Sequence, residues 1–392
     1  MRVLKNSAYV LAVTALGLSL ASCDKEKNDV ILSANDEEYA AIANQALEAT
    51  ILPTYKNLAV ETSALVENLK AFQADSTSQD KLDKACASFL EARAWWEKSE
   101  AFLYGAASDF GIDPHIDSWP LDLDGLKGYL QSDAYVENMN AEDGDQWAGN
   151  KLGAELLGFH GIEYILFKNG ENRKCNDVAK DHLIYAIAVA GDLRNSCWQL
   201  YISWAGEEAA SKVDAEMTKY VVEELEKNVT VAGGDYSYAE NMRNAGKAGS
   251  LYTSQTTAVQ AIIDGCKTIA DEVGTSKIGK AHNGEDVNYI ESPYSHKSII
   301  DFYDNMVSIE NIYYGGIDAD NRAEHSFHNL LKSTNEELDA RVVEAIEAAK
   351  NNINSMKAPF VENYTDASCD NAINACKALD DILSEVKSEL AK

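Results

Sequence analysis

Apolar residues recur along this chain at the three-to-four spacing of amphipathic helices, almost from end to end. The pattern predicts helices over 36–73, 80–107, 147–168, 178–204, 207–228, 249–273, 297–314, 322–357 and 366–391. Convincing strand alternation is absent. Ser33 or Asp36 suits the cap of the first helix, Ser78 or Asp80 the second, and Asp366 or Ser368 the last. Polar, glycine-rich interruptions fall at 108–146, 230–248 and 274–296. They exceed ordinary bundle connections, and long ordered loops tend to carry function. No internal repeat is visible. Four or five helices on each side of residue 206 predict an all-α protein of two bundles packed side by side, 36–206 and 207–392.

The N-terminus reads as an export signal. Arg2 and Lys5 precede an apolar run from Ala8 to Leu20, too short to span a bilayer. Leu20-Ala21-Ser22-Cys23 then resembles a bacterial lipobox. This predicts a signal peptide over 1–22, a lipidated Cys23, and a charged tether over 23–35. The expected location is the bacterial cell envelope, anchored in the membrane through Cys23. Six further cysteines (86, 175, 197, 266, 369 and 376) show no CxxC pairing, which argues against zinc ribbons and redox motifs. Cys86 and Cys266 fall on apolar helical faces and read as small core residues.

Composition adds one exclusion. The 392 residues hold 34 Lys and Arg against 64 Asp and Glu, a formal net charge of −30. The leader contains Arg2 and Lys5 and no acid, so the mature chain is more acidic still. Phosphate backbones need clustered bases, so nucleic acid is excluded as a partner, whereas cations are attracted. The 46% hydrophobic content supports a sizeable core. Gly274 to Lys280 matches most of a P-loop. Ala281 replaces the magnesium-holding hydroxyl, however, and the segment follows a helix, so a nucleotide site is rejected.

The chemical signal lies where acids interrupt apolar faces. In 147–168, Leu152, Leu156, His160, Glu163 and Phe167 share a predicted helical face, with His160 and Glu163 in phase with core leucines. Gly153, Gly158 and Gly161 leave room for a neighbouring backbone or ligand. In the second helix, Arg93, Trp96 and Glu100 lie on the stripe of Leu82, Cys86 and Phe89, with Glu97 beside them. A buried carboxylate is costly unless paired or metal-bound. His160, Glu163, Glu97 and Glu100 are therefore the candidate metal ligands, with Arg93 balancing charge. A buried salt bridge of Arg93 with Glu97 or Glu100 is the alternative at this point. HExxH, HxxEH and GxSxG are all absent.

These residues resemble the imelysin family. The match is carried by Arg93-Ala-Trp95-Trp96-Glu97-Lys-Ser-Glu100, by Ile116-Asp117-Ser118-Trp119-Pro120, by Gly158-Phe159-His160-Gly161-Ile162-Glu163 (a GxHxxE signature), and by Ser292, Asp301, Asn305, Ile309, Asn311 and Gly315. The resemblance implies two helical bundles with GxHxxE near the groove between them, a bacterial envelope location, and a link to iron uptake. It also implies that His160 and Glu163 ligate a metal, and that some members combine such a pair with an ExxE like Glu97 and Glu100. Asp117, Trp119, Ser292, Asp301 and Asn305 would then shape the pocket, with Arg93 and Trp96.

Three readings follow: an envelope protein binding iron, zinc or copper and working with iron-transport components; a metallopeptidase using the same metal; or a non-enzymatic interaction protein whose polar cluster orients helices. His325 and His328 suggest at most an accessory site.

Overall fold

The structure, a computed structural model, describes residues 34–319 and 322–392. The expected signal peptide, Cys23 and most of the expected tether lie outside the described residues, as does Ser33. The described chain is helical apart from one two-stranded ribbon, β1 (Phe167–Lys168) against β2 (Glu171–Asn172).

The principal helices are α1 (Ala34–Ala46), α2 (Leu52–Ala74), α3 (Gln79–Glu97), α4 (Gly158–Leu166), α5 (Lys180–Ala205), α6 (Gln255–Glu272), α7 (Ser298–Tyr314), α8 (Glu336–Asn354) and α9 (Ser368–Glu389). Helix α2 packs on α3 and α5, and α4 packs on α3 and α5. A second group joins α9 to α6 and α8, and α7 to α6 and α8. Although α1 stands in the first half of the chain, it packs on α6. Helix α7 also reaches α3, and the described residues form one compact unit. The large buried side chains include Trp96, Trp198, Trp204, Tyr55 and Phe159.

Local chemistry sets the ends of these elements. Ser78 accepts from the Lys81 amide and caps α3. Gly315, at φ 75°, closes α7 in the left-handed conformation. Several expected helices are broken. The 80–107 helix stops at Glu97, because the Ser99 amide and hydroxyl both turn back to the Trp96 carbonyl. Glu100 then falls in a separate 3-10 turn, Glu100–Phe102. The 147–168 helix splits at residues 152–157, where Gly153 is extended and Gly158 has φ 68°. Leu152 and Leu156 therefore do not share a helix with His160. The expected helix over 322–357 is interrupted at Asn335, whose side chain caps α8 through the Leu338 amide. Conversely, the 274–296 loop begins as a helix. A π-turn, Val273–Ile278, continues α6 and leads into Gly279–His282.

The cysteine expectation bears on the core only. The six are free thiols, and Cys86 and Cys266 are buried among apolar neighbours.

Candidate metal centre

Five segments meet at the centre, α7 among them through Asp301 and Asn305. Helix α3 carries Arg93, Trp96 and Glu97, and the turn after it carries Glu100. Asp117 and Trp119 follow the short helix Ile112–Ile116. Helix α4 carries His160 and Glu163, and the 274–296 segment supplies Lys277 and Glu291. Gly158 makes the second of these approaches possible. A Cβ there would lie 1.8 Å from the Ile116 carbonyl oxygen, so only glycine lets α4 start against the backbone that leads into Asp117.

Arg93 is the hub. Its guanidinium reaches Asp117, and its Nη2 lies 2.5 Å from both Glu97 Oε1 and Glu291 Oε1. The group sits over the Phe159 ring, 5.0 Å from its centroid. Trp96 Nε1 donates to Asp117 Oδ2 at 2.7 Å. Lys277 Nζ lies 3.2 Å from Glu100 Oε1, 3.2 Å from Glu291 Oε1 and 3.6 Å from Glu97 Oε2. Asn305 on α7 donates to Glu97 Oε2 at 2.6 Å, and Ser292 donates to Asp301.

His160 stands between two acids. Its Nε2 is 3.1 Å from Asp117 Oδ1, and its Nδ1 is 3.5 Å from Glu163 Oε2. Neither pair is aligned as a hydrogen bond, and His160 Nε2 and Glu163 Oε2 are buried without a hydrogen-bond partner. The other oxygen of Glu163 is saturated, accepting from the amides of Tyr294 (3.0 Å) and Ser295 (2.7 Å) and from the Ser295 hydroxyl (2.7 Å). Trp119 covers the imidazole, with ring centroids 5.6 Å apart.

Every ionisable group here is buried. Six carboxylates (Glu97, Glu100, Asp117, Glu163, Glu291 and Asp301) face Arg93, Lys277 and His160. The electrostatics follow from that imbalance. Burial pushes Glu291 up to about 7, partly offset by Lys277, and drives Glu100 and Asp301 well above the ordinary carboxylate range. Asp117 moves the other way: burial opposes ionisation, but Arg93 and His160 outweigh it. For His160, burial favours the neutral ring, yet Asp117 and Glu163 raise it to about 9.

The expected ligands divide between neighbouring groups. One ligand atom each from Asp117, His160 and Glu291 lies within 4.8 Å of the others, and the same holds for Glu97, Glu100 and Asp117. Among the described residues Glu163 joins neither group; it sits behind His160. Glu291 and Lys277 escaped the sequence reading. Glu291 immediately precedes Ser292, a position that the family pattern had marked. Lys277 lay inside the rejected P-loop, and nothing in its local pattern predicts an inward-facing ammonium. Ser292, Asp301 and Asn305 support the acids from one side. His325 and His328 are remote from the centre: His325 pairs with Glu38, and His328 with Asp339.

The donors suit a cation of intermediate hardness. His160 Nε2 and Glu291 Oε2 make no hydrogen bond, and once the imidazole sheds its proton to an incoming cation, the ring with two carboxylates is a set that iron, zinc and copper all accept. Where they fit, Asp117, His160 and Glu291 would hold the ion, and Glu163 would orient the imidazole.

An all-helical chain with this buried imidazole–carboxylate centre defines the class. The imelysin pattern matches residues 51–386, and the chain belongs to the imelysin family. It is 25% identical over 316 residues to iron-regulated protein A of Synechococcus elongatus, covering 79% of this chain and 74% of that one. A solved structure, a candidate iron-regulated protein A precursor from Parabacteroides distasonis, superposes with a TM-score of 0.71 at 29% identity, covering 91% of this chain and 95% of that one. An imelysin-like protein from Psychrobacter arcticum shares the fold, with a TM-score of 0.56 at 12% identity, covering 93% and 96%.

Proposed function

We propose that this protein binds a transition-metal ion at Asp117, His160 and Glu291, in a role tied to iron. The observation that carries the reading is the convergence of one ligand atom each from Asp117, His160 and Glu291 within 4.8 Å of one another, all buried, with His160 Nε2 and Glu291 Oε2 making no hydrogen bond. Leaving buried polar atoms without hydrogen bonds is unfavourable, and a bound cation relieves it. The similarity to iron-regulated protein A supports iron as the first metal to try. The leader and lipobox pattern support an exported, lipid-anchored envelope protein, with iron-transport components as its natural partners. Binding is favoured over peptide cleavage because Asp117, His160 and Glu291 are each at most 4% exposed. A peptide bond does not reach an ion held there unless the centre opens.

Titration calorimetry with Fe(II), Zn(II) and Cu(II) tests this. Wild type should bind one of them, and His160→Ala should weaken that binding by more than about 100-fold, beyond the usual effect of an outer-sphere change. Equal, weak binding by both proteins would overturn the reading. That outcome would favour a second one, in which Arg93 and Lys277 already suffice and the cluster only ties these segments together. The ion pairs of both bases support this alternative.

A further inference from the structure

The two ligand groups share Asp117, so the centre offers two adjacent cation positions. They differ in one respect. Both present buried atoms without hydrogen-bond partners, His160 Nε2 and Glu291 Oε2 at the first and Glu97 Oε1 at the second, but the flexible ammonium lies on the second. Arg93 touches both groups, but the Lys277 ammonium lies within 3.6 Å of both Glu97 and Glu100 and reaches the first position only through Glu291. We infer that Lys277 is a tethered cation that fills the second position and limits the centre to one metal ion; this rests on the metal-binding reading above.

Several observations point to Lys277 and not to Arg93. Arg93 presents a planar fork to three carboxylates and is braced on Phe159, so its place is fixed by shape. An ammonium is a compact point charge on a flexible stem, the nearest side-chain equivalent of a metal ion. Lys277 is 1% exposed and is carried by a π-turn, a distortion that often marks functional positions. A cavity of about 220 Å³ lies beside it, bordered by Glu100, Asp113, Asp117, Glu272 and Trp119. This cavity gives an ion room on the same side as the ammonium, and its rim is acidic.

Without the ammonium, Glu97, Glu100 and Asp117 become an open carboxylate set sharing Asp117 with the first position. Carboxylate-rich helical proteins hold paired metals in this way. The test is metal analysis of purified wild type, Lys277→Met and Lys277→Met/Glu100→Gln after loading with Fe(II) or Zn(II), with circular dichroism in EDTA and in excess metal. Wild type should hold one ion, Lys277→Met two, and the double variant one again, because it lacks a ligand of the second position. If Lys277→Met loses native ellipticity in EDTA and regains it with metal, the inference is also supported. One ion in both wild type and Lys277→Met overturns it and leaves the metal-binding reading intact. Failure of Lys277→Met to fold even with metal overturns it too, since the ion would then not replace the ammonium. No metal in wild type but one ion in Lys277→Met would refute the metal-binding reading and keep the role of Lys277.

Discussion

Arg93 shows how a single residue holds distant segments together. Its guanidinium serves Asp117, Glu97 and Glu291, the last 198 positions away in sequence. Removing one partner from a buried ionic group is severe, because the others remain buried and unpaired. Arg93→Met should therefore cost about 3–5 kcal/mol, read from urea unfolding. A loss below about 1 kcal/mol would mean that Lys277 alone compensates the acids. Glu163 illustrates a residue whose partners its local sequence does not reveal. Its position on α4 was legible from spacing, since His160 and Glu163 share a face. What it bonds was not: the amides of Tyr294 and Ser295 approach from 131 and 132 residues away. It fixes the 291–296 segment and backs the imidazole, while Glu291 takes the place beside Asp117 and His160.

At the scale of elements, the glycines of GxHxxE have distinct mechanical reasons. Gly158 combines a positive φ with backbone contact at Ile116, and a Cβ on Gly161 would meet the Tyr185 hydroxyl at 2.2 Å. Gly158→Ala should destabilise the fold by at least about 2 kcal/mol. Gly111 is the control: it has φ 62° and open space around it, so Gly111→Ala should cost only conformational strain, about 1–2 kcal/mol. Thermal unfolding of the two variants compares them directly, and equal losses would remove steric approach as the reason for Gly158. The same elements show why helix periodicity overran the true boundaries. Apolar spacing continues across 80–107 and 147–168 because both sides of each break face the core. The breaks are made by Ser99, Gly153 and Gly158, whose backbone preferences a hydrophobic pattern does not register. The inward turn of Lys277 is likewise a property of the π-turn, absent from any 3.6-residue template.

For the whole molecule, the concentration of buried acid predicts the pH response. Burial raises Asp113 from 3.8 to about 6 and Asp304 from 3.8 to about 7. Each such group favours the folded state while protonated. Its contribution is complete below the unfolded pKa and is lost as pH rises through the folded value. The metal-free protein should therefore unfold at a lower urea concentration at pH 8.5 than at pH 5.5. Asp304→Asn should flatten part of that difference, by on the order of 2 kcal/mol. A midpoint that rises across this window would overturn the assignment, because depressed acids such as Asp117 and Glu310 are ionised in both states there and act only below about pH 5.

The sequence alone determined what depends on local order and composition. Its apolar periodicity dictated a helical protein, and its acidity set the expectation of cations over nucleic acid. The placement of His160, Glu163, Glu97 and Glu100 on apolar faces marked the residues that must be buried with company. Tertiary structure decided who that company is. A charge enters a core only beside compensating groups, and those groups need not be near in sequence. Packing brought Asp117, Lys277 and Glu291 to the centre, turned Glu163 toward residues 294 and 295, and put the Lys277 ammonium among three carboxylates.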